Sequence, residues 1–259
     1  VRFVLSRLEF DLCWDHLRLG EYPTILSIPS HGATFDERRA LLHDAWQSLA
    51  HKGLVDRGRL DPDLAGRLTL LARPEREVDA RLRLDDGPRV RAVAAVRRRY
   101  AVLAVLTADA LVVQDVDESA LASSVVSLLP PHATSKSRSI SLPSADLDRA
   151  AEAAGESATR LENALREHGL ARQDAQKVSS VLGNVIRMGQ FGTAYREMRN
   201  GAPGKRHRGP YVVSFYDTPE GRWQFTRRPS GDGREWSTLA PADHSRLTHS
   251  VSELLGCLG

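Results

Sequence analysis

Cysteine is scarce in this sequence, and its placement excludes two kinds of chemistry. Cys13 and Cys257 stand near opposite ends of the chain without a CxxC partner, so neither a zinc knuckle nor a dithiol redox motif can be written. Long apolar runs are missing too. The longest, Ala101 to Val113, is interrupted by Asp109 and falls short of the ~20 residues that span a bilayer. Charges at Arg2, Arg7, Glu9, Asp11, Asp15 and Arg18 break any signal-peptide core near the start, so secretion of this chain itself is disfavoured. Lysine is almost absent, since all but four of the 36 basic residues are arginine. With a net charge of only +3, arginine here suits forked carboxylate pairing and protein interfaces better than general attraction to polyanions.

Catalytic motifs are missing as well. There is no GxSxG elbow, no Walker loop and no HExxH or HxH arrangement. Ser30-His31-Gly32 puts a nucleophile beside a base, but adjacent residues rarely face each other, and the stretch reads as a lead-in to the helix after Thr34. His43, His51, His244 and His249 fall on predicted helices among charged residues and read as solvated. Turn and cap roles account for Asp61, Asp63, Asp85, Asp86, Asp115 and Asp117. No catalytic set, metal site or cofactor is expected, and the chain is not expected to be an enzyme.

What is present is a folding pattern, with 41% hydrophobic and 27% charged residues excluding bulk disorder. Capping-box spacing at Ser6 to Glu9 predicts a helix to about Gly20, and at Thr34 to Glu37 a second one ending at Gly53, with Leu42, Ala45, Trp46 and Leu49 on its inner face. Asp61-Pro62 opens a third, running to Leu71. The period then changes to two. Val78, Ala80, Leu82 and Leu84, a turn at Asp85-Asp86-Gly87-Pro88, and Val90, Ala92 and Ala94 predict a hairpin with a wet outer face. Ala101 to Leu106 and Ala110 to Val116 read as strands buried on both faces, and Asp117 as the cap of a helix through about Leu128.

Pro130 to Arg138 has no periodicity and reads as a crossover loop. It divides the chain into an N-terminal half, 1–129, a crossover, 130–143, and a C-terminal half, 144–259, within one compact domain. Helices capped by Ser144, from Ser157 to His168 and from Arg172 to Gly183 follow. Strands are predicted at Val185 to Met198, Tyr211 to Tyr216, Arg222 to Thr226 and Glu235 to Leu239. They are separated at Asn200 to Gly204, Thr218 to Gly221 and Ser230 to Gly233, and Pro241 opens a last helix with Leu247, Val251, Leu254 and Leu255 inward. Each half reads as helices, about four antiparallel strands and a closing helix, an α+β fold. Two basic clusters, Arg97-Arg98-Arg99 and Lys205-Arg206-His207-Arg208, fall in predicted connections between strands. A basic nucleic-acid-binding or regulatory protein is therefore the alternative function. Aromatic content of 6% and near-balanced acidic residues favour solvated turns or protein contacts there.

Several stretches together resemble the EspG family of type VII (ESX) secretion-associated chaperones. They are Leu8-Glu9-Phe10-Asp11 with Trp14, Leu19 to Pro23, Ile28 to Thr34, Leu60 to Ala65 and Leu71 to Glu75 in the first half. Gly189-Gln190-Phe191-Gly192, Tyr216 to Arg222 and Ala240 to Asp243 match in the second. The resemblance implies a cytosolic chaperone with a central antiparallel sheet flanked by helical bundles, two similar halves and pseudo-two-fold symmetry. It implies a partner too, a secreted helical protein of PE/PPE type whose hydrophobic tip is covered and kept soluble. Substrate resting on the sheet and the C-terminal helices implies Val178, Val181, Leu182, Val185, Met188, Gln190 and Phe191 as protein-binding residues, with Val212 and Ser214 next. On periodicity alone the same residues read as core.

Overall fold

The computed structural model describes residues 1–84, 87–199, 202–231 and 233–258. The expected turn residues Asp85, Asp86, Asn200, Gly201 and Asp232 lie outside the described residues. The chain forms two compact units: Val1–Arg81 with Pro88–Val125 and Thr193–Arg208, and Leu82–Gly87 with Val126–Gly192 and Gly209–Gly259. Helices and antiparallel strands segregate along the sequence, so the fold class is α+β, with antiparallel sheet as expected.

In the first unit, β1 (Arg2–Ser6) leads into α1 (Arg7–His16), α2 (Phe35–His51), a small hairpin of β2 (Val55–Asp56) and β3 (Arg59–Leu60), and α3 (Pro62–Ala72). Then come β4 (Arg76–Arg83), β5 (Val90–Arg97), β6 (Tyr100–Leu106), β7 (Ala110–Val116) and α4 (Leu121–Val126). The strand order is β1-β7-β6-β5-β4, with β1 antiparallel to β7 although over a hundred residues separate them. Apolar side chains on one face of this sheet, Val93, Ala95, Val102, Ala104, Leu111 and Val113 among them, bury Phe10, Trp14, Leu49, Leu64 and Leu68 of the three helices.

Local chemistry sets these helix starts. Ser6 and Glu9 form a complete capping box, the Glu9 N–H donating to Ser6 Oγ at 3.1 Å and the Ser6 N–H to Glu9 Oε2 at 2.6 Å. Thr34 accepts from the Glu37 N–H, and Glu37 reaches one residue further back, to the Ala33 N–H. Asp61 caps α3 at the Leu64 N–H, at 2.8 Å. Two buried carboxylates then tie the helices together. Burial pushes Glu9 up, but Lys52 Nζ at 2.6 Å, the Ser6 N–H and the Ser48 hydroxyl outweigh it and hold the carboxyl below its ordinary value. Asp11 is likewise held low against burial by Arg38, the Tyr22 hydroxyl and His31. Ser30 and His31 therefore serve Arg38 and Asp11, not each other. Gly32, at φ 90, lets Arg38 approach so closely that an added Cβ would lie 2.8 Å from its backbone.

The second unit starts with β8 (Ile140–Pro143) and continues through α5 (Ser144–Ala154), α6 (Ala158–Glu167) and α7 (Arg172–Gly183). Next come β9 (Arg187–Arg199), whose residues 193–199 fall in the first unit, and β10 (Ala202–Arg208), wholly in the first. β11 (Val213–Thr218), β12 (Gly221–Pro229), β13 (Glu235–Pro241) and α8 (His244–Gly256) complete the chain. The strand order is β9-β11-β12-β13-β8, and β8 closes against β13 as β1 closes against β7. Ile140, Leu142, Trp223 and Leu239 of this sheet bury Leu147, Leu161, Leu165, Val178 and Val181 of α5 to α7.

Several sequence expectations need correction. Helix α1 stops at His16, well before Gly20, because Arg18 turns to φ 50 and the Trp14 Nε1–H donates to the Gly20 carbonyl at 2.9 Å. Asp117 makes no capping bond, and α4 ends at Val126. The crossover ends in a strand, and Ser144 is no cap: its Oγ shares a 2.8 Å hydrogen bond with Ser237 Oγ in the core. Pro241 closes β13, and Asp243 caps α8 at the Arg246 N–H. Leu255 is only half-buried, and β7 alternates in burial instead of being covered on both faces. The charged face of the β4–β5 hairpin is wet only toward its turn, at Arg81 and Arg83; before that Glu77, Val78, Asp79 and Ala80 are buried in succession.

The reason lies in the second basic cluster, which is no connection but strand β10. It pairs antiparallel with β9, Arg208 opposite Ala194, and its Arg206 and Arg208 reach Glu77 and Asp79. Arg206 Nε lies 2.9 Å from Glu77 Oε1. Buried carboxylates without such partners would cost several kcal/mol each. Burial still pushes the Glu77 carboxyl upward against the pull of Arg206.

Candidate protein-binding surface

The surface runs from the end of α7 along the paired strands β9 and β11, within the second unit. Val178 and Val181 point from α7 into the core beside Leu165 and Trp223. After Gly183 the helix closes with the Asn184 side-chain amide donating to the Ser180 carbonyl at 2.8 Å. The chain then passes Val185 and Ile186, whose N–H donates to the Asp217 carbonyl at 2.9 Å and so seats the start of β9 on the end of β11. Met188 pairs with Tyr216, Gln190 with Ser214 and Phe191 with Val213. Because side chains alternate along a strand, Met188, Gln190, Ser214 and Tyr216 share one face, and Phe191, Val213 and Phe215 the other.

Exposure separates the residues expected from the sequence. Val178, Val181 and Phe191 are core, Phe191 with its ring 6.2 Å from that of Phe215. Leu182, Met188 and Val212 are 37%, 38% and 37% exposed, and Val185, Gln190 and Ser214 are half-buried. Ile186, 48% exposed, belongs with them and was not singled out. Its signal was available, a branched apolar residue just past a helix end in the Val185-Ile186-Arg187-Met188 run. Of the eight large apolar side chains exposed among the described residues, four lie in this one region. Monomeric surfaces tend to scatter such residues singly, so these four are the candidate contact residues.

Behind it stands a fully buried ion pair. Arg222 grips Asp217 with Nε to Oδ1 at 2.6 Å and Nη2 to Oδ2 at 2.9 Å, and neither side chain is exposed. The guanidinium also donates to the Pro130 carbonyl at 2.8 Å and stacks 5.5 Å over Phe215. His244, expected to be solvated, sits between Arg222 Nη1 and the Leu129 carbonyl. The Arg222 N–H donates to the Ala133 carbonyl, while Gly221, at φ 126, would place a Cβ 2.5 Å from the Ser135 nitrogen. The Asp217 to Arg222 stretch thus bolts the incoming segment 129–135 to the β11–β12 hairpin.

The sequence model of the EspG family matches residues 6–253. The chain belongs to the EspG family. Its fold is also that of a solved structure, the Mycobacterium tuberculosis type VII secretion system chaperone EspG5 in complex with a PE25–PPE41 dimer. The TM-score is 0.79 at 17% sequence identity, over 100% of this chain and 97% of that one. No curated protein sequence matches significantly. In this EspG-family chain no group of three or more His, Cys, Asp or Glu side chains able to hold a metal ion occurs among the described residues. Nor is any helix among them long and apolar enough to cross a membrane. Cys13 is buried, its thiol pushed up to about 12 by that burial and by Glu9, whereas Cys257 is exposed.

Proposed function

We propose that this EspG-family chain is a cytoplasmic chaperone of a type VII secretion system, acting by binding and not by catalysis, that covers the hydrophobic tip of a helical PE/PPE-type heterodimer. The observation that carries the reading is the gathering of Leu182, Ile186, Met188 and Val212 beside the half-buried polar pair Gln190 and Ser214. EspG5, which shares the fold, is seen with a PE25–PPE41 dimer. An apolar helical tip self-associates in water, and a complementary apolar cover removes it from solvent.

Fully burying one such side chain is worth about 1.5–3 kcal/mol, so four that are each some two-fifths exposed offer roughly 3–4 kcal/mol. Micromolar affinity needs about 8 kcal/mol. The balance would come from a wider contact area and a polar rim that selects the client. Affinity purification of a tagged copy from its native cell tests the reading. A helical secretion substrate should be recovered in stoichiometric amount, and recovery of none, or of nucleic acid alone, refutes it.

A further inference from the structure

A second concave surface lies in the first unit, where α3, the β5–β6 turn and β7 enclose a cleft of about 750 Å³. Its apolar side is formed by Leu70, Ala101, Val102 and Val116. One end is strongly cationic: Arg97, Arg98 and Arg99 line it in succession, beside Tyr100, which is 61% exposed. Elsewhere in the chain Arg38, Arg67, Arg206, Arg208, Arg222 and Arg227 each face a carboxylate. The three guanidiniums of this turn face none among the described residues. Glu75 approaches only through the Arg98 backbone N–H, at 3.0 Å.

The turn is also held in shape. Arg98 sits at φ 56, a left-handed conformation that costs a non-glycine residue roughly 1–2 kcal/mol, and the Glu75 bond fixes it there. Arg99 lies 5.4 Å over the Tyr100 ring, so cation and aromatic are already paired. In the same lining Arg67 is engaged by Asp115, with two contacts of 2.7 Å, and Asp63 adds a negative charge.

We infer that this cleft binds an acidic polypeptide segment, with Asp or Glu carboxylates forked by Arg97 to Arg99 and an apolar side chain laid on the Leu70–Val102 floor. Charge complementarity decides the class of occupant. Guanidiniums take carboxylates in paired hydrogen bonds. A nucleic-acid strand needs a cationic track several phosphates long with stacking platforms. This cleft offers one short cationic turn and a single aromatic, and the Asp63 and Asp115 carboxylates also line it. The inference goes beyond the client reading, because none of its residues belongs to the surface at Leu182 to Val212.

The test is fluorescence anisotropy at low ionic strength with the full chain and a short labelled peptide of alternating glutamate and leucine. Saturable binding is expected, weakened about tenfold or more in Arg97→Gln/Arg99→Gln and weakened by added salt. The control Arg166→Gln, at an exposed arginine of α6, should bind as wild type. A lysine–leucine peptide should not bind. Absent or non-saturable binding of the acidic peptide, an equal loss in Arg166→Gln, or tighter binding of a single-stranded oligonucleotide of equal charge overturns the inference.

Discussion

Replacing Leu182 with aspartate separates a contact surface from a core, because its neighbour Val181 supplies the internal comparison. Leu182 is 37% exposed at the last turn of α7, and Val181 is 2% exposed inside the core. Leu182→Asp forfeits about two-thirds of a leucine's burial, some 1–2 kcal/mol, and sets a negative charge at a helix C-terminus for a further 0.3–1 kcal/mol. Against a domain stability of about 5–15 kcal/mol the fold survives. Val181→Asp instead seals a carboxylate among apolar side chains without a cation, which costs several kcal/mol and unfolds the unit. On the bound surface the situation of Leu182 reverses, since a client that covers it must bury an unpaired carboxylate, and affinity falls about a hundredfold or more. Thermal melts of both variants and calorimetric titration with the captured client measure the two effects. A Leu182→Asp protein that melts with Val181→Asp, or that holds client as tightly as wild type, refutes the reasoning.

Arg222→Met leaves buried Asp217 with only Arg187, 3.9 Å away, in place of its forked partner, a loss of about 3 kcal/mol that should lower the melting temperature by roughly 10 °C. A melting point matching wild type would show that the pair carries no such weight. Glu9 and Asp11 are held below their ordinary values of 4.5 and 3.8, so their contribution is fully present above those values and is lost as pH falls through the lower folded ones. Urea unfolding across that acid range should show stability dropping, with a shallower drop in Asp11→Asn; identical slopes would contradict it. Thiol labelling of the native protein should modify Cys257 promptly and Cys13 only on unfolding, and mass spectrometry of the labelled sites decides between them.

Helices with local punctuation were legible in the sequence. The bounds of α7 match the expected Arg172 to Gly183, and the starts of α2, α3 and α6 follow Thr34, Asp61 and Ser157. Strands joined by short turns were equally legible, β6 and β7 to within a residue. The missed elements are those whose partners are remote. Four- and five-residue strands such as β8 and β1 carry too little alternation to stand out, and their ladders form with β13 and β7 far along the chain. Strand β10 looked like a soluble turn because Pro203, Gly204 and four cationic or imidazole residues hide a pattern that only Glu77 and Asp79, 129 residues earlier, make sense of. At the surface, helical periodicity named the correct stretch but could not tell its covered side from its open one, since Val181 and Leu182 are adjacent apolar residues with opposite fates.

The Asp217–Arg222 clamp separates ancestry from appetite. The Tyr216 to Arg222 stretch is among those by which the chain looks like its relatives, yet its charged pair is sealed away from solvent and cannot touch a cargo. Substituting the four greasy residues in front of it would leave this fastener in place. Shared lineage therefore predicts the architecture, while the identity of the passenger must be sought on the outward-facing side chains.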